Sequence, residues 1–166
     1  MHLRIASKED SDAVTELLRL SYPALMSGAY EDSILAAALP AMTNAQPALL
    51  ESGTYYLAET EEDFLVGCGG WTREPPGGGE ATAGRAHIRH FCVHPGWTRK
   101  GVGRALYTRC REDARARGVI EFECLSSING EPFYSALGFR RDKLVTVEMP
   151  GDIEFPGVRM IASVGM

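Results

Sequence analysis

The sequence predicts one α/β domain of the α+β type, spanning residues 1–166. Three observations carry that reading. Apolar residues recur at period two in several short runs and at helical spacing in others. Residues 86–125 read strand, helix, strand, a crossover that requires parallel pairing, whereas residues 54–71 read as a hairpin. No internal repeat or linker divides the 166 residues, which is the length of one ordinary domain.

The elements follow in order. Residues 2–6 alternate, with Leu3 and Ile5 on one face, and form a first strand. Ser7-Lys8-Glu9-Asp10 has the form of a capping box, and Val14, Leu17, Leu18 and Ser21 then follow helical spacing until Pro23. Residues 23–30 are a turn-rich break. Residues 31–39 make a second helix, interrupted by Pro40, and residues 47–51 a short third. Residues 54–59 and 64–71 are strands joined through Glu61-Glu62-Asp63, with Phe64, Val66 and Cys68 on one face. Residues 73–84 contain Pro75-Pro76-Gly77-Gly78-Gly79 and form a flexible loop. No Gly-Lys-Ser/Thr follows it, so it is no phosphate loop.

Residues 86–94 are a strand stopped by Pro95-Gly96. Residues 101–117 are the clearest helix, with Val102, Ala105, Leu106, Cys110 and Ala114 as its buried stripe and Gly118 as its cap. In residues 119–125 Ile120, Phe122 and Cys124 face inward, and Glu121 and Glu123 outward. Residues 129–137 are a short helix ended by Gly138, and two strands follow near 139–149 and 158–164.

Composition removes several function classes. No apolar run approaches the ~20 residues of a membrane span, and Met1-His2-Leu3-Arg4-Ile5 lacks a signal-peptide core. The cysteines at 68, 92, 110 and 124 form no Cys-x-x-Cys, which fits reduced, buried thiols in a cytoplasmic protein. The histidines at 2, 87, 90 and 94 have no cysteine at zinc-finger spacing, so no metal site is expected.

The net charge of −5 argues against a polyanionic partner such as nucleic acid. It is unevenly spread. Residues 85–117 hold nine basic and two acidic residues, a charge of +7, and the remainder holds eight basic and twenty acidic, a charge of −12. The basic stretch contains Thr98-Arg99-Lys100-Gly101-Val102-Gly103-Arg104, in which a strand passes through a glycine-containing turn into a helix. Such a turn aims backbone N–H groups and a helix dipole at one spot, a natural pyrophosphate site. Gly101 and Gly103 remove Cβ atoms from that approach. The dinucleotide-binding fingerprint is absent, because its third glycine is missing.

A second block reads Asn129-Gly130-Glu131-Pro132-Phe133-Tyr134-Ser135-Ala136-Leu137-Gly138-Phe139. Together the two blocks resemble the GCN5-related N-acetyltransferase (GNAT) family, in motif, spacing and order of elements over nearly the whole chain. The resemblance implies a mixed central sheet of about seven strands flanked by about four helices. It implies acetyl-CoA as cofactor and direct acetyl transfer to the primary amine of a small molecule or peptide.

By position, Phe91, Cys92 and Val93 would pair with the pantetheine arm. Thr98, Arg99, Lys100, Gly101, Val102, Gly103 and Arg104 would cradle the pyrophosphate, and Asn129 would contact the cofactor. Tyr134 would stand near the sulfur as general acid. Thr98 departs from the family's usual Gln or Arg, and Arg99 stands where Gly is frequent. Since backbone N–H groups do most of the phosphate binding, both are expected to be tolerated.

His87 lies six positions before Val93, where some family members carry a His or Glu that helps deprotonate the amine. Alternation puts residues 87, 89, 91 and 93 on one face, so His87 is the first candidate for the base. His90 falls on the other parity unless a bulge intervenes. The acceptor would meet the variable regions, with Tyr30, Glu31 and Trp71 as candidate contacts beside other acidic residues such as Asp32, Asp152 and Glu154. A homodimer is common in the family, and no membrane partner is expected. A non-catalytic acyl-CoA-binding or regulatory module is the alternative. A nucleic-acid-binding domain built on the +7 segment is disfavoured by the acidic remainder and its few aromatics.

Overall fold

The crossover predicted for residues 86–125 is the sheet's parallel connection. The computed structural model describes residues 1–165. Seven strands, β1 (His2–Ile5), β2 (Tyr55–Glu59), β3 (Leu65–Thr72), β4 (Arg85–Val93), β5 (Glu121–Ser127), β6 (Arg140–Met149) and β7 (Ile153–Ser163), lie in the order β1-β2-β3-β4-β5-β7-β6. Only β4 and β5 pair in parallel among the described residues. Five helices flank the sheet: α1 (Ser11–Met26), α2 (Asp32–Met42), α3 (Pro47–Leu50), α4 (Val102–Ala116) and α5 (Glu131–Ala136). Among the described residues no helix is long and apolar enough to cross a membrane.

Each face of the sheet is covered by an apolar helix stripe. Val102, Leu106, Cys110 and Ala114 of α4 pack on Tyr56, Ala58, Ala86 and Phe122. Val14, Leu17 and Leu18 of α1, with Leu49 and Leu50 of α3, pack on Tyr55, Leu57, Cys68 and Cys92. Leu18, Leu57 and Leu106 are fully buried, each a contribution of roughly 1.5–3 kcal/mol. A smaller cluster joins Met26, Leu35 and Ala38 to Phe155.

The capping box forms, with the Ser7 N–H donating to Asp10 Oδ2 at 2.8 Å. Both prolines expected to end helices lie inside them. Pro23 and Pro40 each remove one N–H, but the carbonyls left without it belong to Arg19 and Ala36, which are exposed and open to water. Burial of Leu17, Leu18 and Met26 then carries α1 past the break.

Two bulges revise the predicted faces. The register between β2 and β3 shifts after Ala58, so Val66 joins the α4-side core and Cys68 the α1-side core. The register between β3 and β4 shifts between Cys68 and Gly70, opposite His90, whose φ is 52°. Alternation therefore breaks at His90. Phe91 and Val93 pack with the α4-side core and Cys92 with the α1-side core, so residues 87, 89, 91 and 93 do not share a face. Ile120 precedes β5 and is 64% exposed, outside the inward stripe of Phe122 and Cys124.

Candidate functional site

Strands β4 and β5 pair only through Arg85–Glu121, Ala86–Phe122 and His87–Glu123. Beyond them β4 stays paired with β3 and β5 with β7, but not with each other, so a wedge opens between the two strands. The bulge at His90 stands on its edge and is held from the sheet's α1 side. Tyr55 Oη donates to the His90 carbonyl at 2.8 Å and Tyr22 Oη to the Phe91 carbonyl at 3.1 Å. Ser21 Oγ donates to the Val93 carbonyl.

The wedge is the floor of a cleft of about 1010 Å³. At one end is the start of α4. Arg99 and Gly101 both adopt left-handed backbone, with φ of 60° and 82°, a conformation that strains any residue with a Cβ. Gly101 caps α4 without a side-chain bond, so the first amides of a fifteen-residue helix have no side-chain cap. A Cβ on Gly101 would meet open space, whereas one on Gly103 would lie 2.8 Å from the Phe133 ring. Gly101 is thus required by backbone conformation, and Gly103 by the close seat of Phe133.

Tyr134, on α5, is buried between Phe133, Phe139 and Phe91, at ring distances of 5.0, 5.4 and 6.3 Å, and it lines the cleft. Its hydroxyl faces the Cys124 thiol, and burial raises it well above the usual phenol range. It is protonated at every physiological pH. Asn129 also lines the cleft, and its Oδ1 is buried with no hydrogen-bond partner. A buried acceptor left open costs about 1–3 kcal/mol, which a ligand donor would recover.

Residues 29–151 match the family model described as "Acetyltransferase (GNAT) domain". This chain belongs to the GNAT acetyltransferase family. It is an acyltransferase. No curated protein sequence matches the chain. Among solved structures, a GCN5-related N-acetyltransferase from Rhodopseudomonas palustris superposes with a TM-score of 0.77 at 23% identity, over 98% of this chain and 94% of that one. PaiA N-acetyltransferase from Thermoplasma acidophilum, solved with coenzyme A, gives 0.71 at 17% identity, over 98% of each chain. Ard1 from Thermoplasma volcanium gives 0.70 at 15% identity, over 99% and 98%.

The GNAT chain's residues fit coenzyme A on its own geometry. Asn129 offers an unpartnered acceptor, α4 an uncapped N-terminus, and the wedge strand backbone without a neighbour. Phe91, Cys92, Val93, Thr98, Arg99, Gly101, Val102, Gly103, Arg104, Asn129 and Tyr134 all line the cleft. Lys100 is not among the lining residues, although its ammonium lies 5.8 Å over the ring of Trp97, which is. Thr98 Oγ1 is turned to the Pro95 carbonyl at 3.3 Å. The +7 segment is dispersed. Arg85 pairs with Glu121 and Glu123, Arg109 covers Tyr56 and Arg117 covers Trp71, while Arg99 and Arg104 line the cleft at the helix start.

Of the other expected residues, His87, Tyr30, Glu31, Trp71 and His94 stand apart from the cleft. His87 is buried on the paired part of β4, its Nδ1 3.8 Å from Glu123 Oε1, and burial is the first cause that lowers it. His90 does line the cleft, where burial pushes its imidazole down to about 4, so it is neutral at pH 7. Tyr30 is buried as a strut: its hydroxyl accepts from the Ile128 N–H at 2.8 Å and donates to the Pro156 carbonyl at 2.7 Å. Trp71 is 2% exposed in the α4-side core, and Glu31 is exposed before α2. His94 caps its turn, accepting from the Gly96 N–H at 2.9 Å. The sequence reading passed over Arg89, Met42 and Met149, which do line the cleft. An arginine inside the central strand β4 was the signal available.

Proposed function

We propose that the chain transfers an acetyl group from acetyl-CoA directly to the primary amine of a small molecule or peptide. The observation that carries this reading is Tyr134, a buried and protonated phenol that packs on Phe91 of β4 and lines the same cleft as the open Asn129 acceptor. When bound, acetyl-CoA supplies a thioester already activated toward amines. The amides at the start of α4, with Arg99 and Arg104, hold its pyrophosphate. The backbone of Phe91, Cys92 and Val93 holds the pantetheine arm as an added strand would be held. An N–H near Cys92 or Val93 polarises the acetyl carbonyl.

Tyr134 gives its proton to the leaving sulfur. No covalent nucleophile is needed, and the Cys92 thiol, pushed well above its ordinary value, is a packing group. The amine reacts as the free base. His90 is better placed than His87 to take up its proton, since it lines the cleft uncharged and His87 is turned to Glu123.

Release of free thiol from acetyl-CoA over a panel of amines tests the reading. Tyr134→Phe is expected to lower kcat by about a hundredfold and to leave acetyl-CoA affinity within about twofold. A variant that keeps full turnover across pH removes the general acid, and absence of turnover with any amine removes the transfer reaction.

A further inference from the structure

The cleft's second end is walled by α1, α2, β6 and β7, away from α4, and its chemistry differs. Leu25, Met26, Met42, Val147, Met149 and Phe155 make it apolar, and three of these six are methionines, which adapt to irregular apolar shapes. Among the described residues no Asp or Glu lines the cleft at either end. The second end carries one cation, Arg89, next to the bulge at His90.

Arg89 is half-buried in β4. Its Nη1 donates to Thr72 Oγ1 at 3.0 Å and its Nη2 to Gln46 Oε1 at 3.3 Å. Both partners are neutral, and among the described residues no ion pair forms with Arg89. Glu74, on the loop before β4, acts on it only through space. Burial lowers the guanidinium from its ordinary value without neutralising it. A desolvated cation without a counter-charge is costly, and a planar guanidinium with donors to spare suits a carboxylate held by two bonds.

An acceptor carrying several positive charges would find no carboxylate here and would face Arg89. We infer that the acceptor of the transfer proposed above is a small amine that itself bears a carboxylate and an apolar side chain, an apolar α-amino acid. Its carboxylate pairs with Arg89, its side chain fills the methionine-lined wall, and its amine points toward the wedge. The acid–base balance is that of the parent reaction. The amine nitrogen bonds to the acetyl carbon, the carbon–sulfur bond breaks, the sulfur is protonated and the amine loses one proton.

Thiol release is compared for leucine, leucinamide and spermidine. Leucinamide keeps the side chain and amine of leucine and removes the anion. Leucine is expected to exceed leucinamide in kcat/KM by about tenfold or more, with spermidine lowest. Arg89→Gln is expected to collapse the leucine-to-leucinamide ratio to within about twofold through the KM for leucine, with Arg89→Lys in between. Leucinamide or spermidine equalling leucine overturns the inference. So does an Arg89→Gln loss shared equally by leucine and leucinamide, which marks a structural role. Calorimetric titration of leucine into protein saturated with coenzyme A reads the site without turnover, and absence of heat overturns it. Failure of coenzyme A itself to stabilise the protein against heat is a different result, since it removes the transfer reading first.

Discussion

The Tyr55 hydroxyl donates to the His90 carbonyl at 2.8 Å across the sheet. Tyr55 is 1% exposed on β2, and His90 is the left-handed residue of the β4 bulge. The bond fixes the peptide that reverses the strand's parity. That reversal gives Phe91 and Val93 to one core and Cys92 to the other. The geometry of the wedge thus depends on a hydroxyl two strands away.

Tyr55→Phe leaves the ring's packing in place and removes the stronger donor to the His90 carbonyl, leaving the weak Cys68 thiol at 3.9 Å. The expected cost is about 1–3 kcal/mol, read as a lowered urea midpoint with an unchanged slope. Activity should fall as well, because the bulge relaxes. A variant with wild-type stability would mean that water replaces the hydroxyl.

Gly103→Ala separates two roles that the Gly-x-Gly pattern merges. The new Cβ would lie 2.8 Å from the outer atoms of the Phe133 ring. That ring is 36% exposed and can move, so the stability cost should stay within about 1 kcal/mol. The displaced ring intrudes on the cleft, and coenzyme A affinity should drop several-fold. Phe133→Leu in the same chain should restore it. Gly101→Ala meets no neighbour but must hold φ at 82°, so Phe133→Leu should give it no relief. Equal rescue of both would contradict the two assignments.

The elements that position the cofactor end were legible because local signals set them. The strand into Pro95-Gly96, the glycine turn and the stripe Val102, Leu106, Cys110 and Ala114 all act within a few residues of one another. The bulge was harder to read, since a histidine at φ 52° leaves no mark in the sequence, and alternation alone put His87 with Val93. The acceptor end was misread for another reason. Tyr30 and Trp71 had the composition of a binding surface, but long-range packing commits Tyr30 to the carbonyl of Pro156 and Trp71 to the core under α4. The acidic surplus of the outer chain likewise does not reach the cleft wall, where the charge that counts is Arg89.

His90 sets a pH dependence with a definite sign. Its imidazole is pushed down to about 4, chiefly by burial and then by the charge of Arg89, while the backbone of Met42 raises it slightly. In the unfolded chain it binds a proton below its ordinary 6.5. Above that pH neither state is protonated there, and His90 makes no difference to stability. Between about 6.5 and 4 the unfolded state holds more protons, so stability falls as pH falls. Below about 4 both states are protonated and the loss is complete. The total is on the order of 3 kcal/mol. His87, also lowered by burial, adds in the same direction, whereas Asp10, held down by Arg4, contributes only from its ordinary 3.8 downward. Urea titrations of wild type and His90→Gln at about pH 7.5, above the window, and at about pH 6 and about pH 5, within it, read the difference. The variant should lose less stability over that range than wild type, and parallel curves would show that His90 is not buried uncharged.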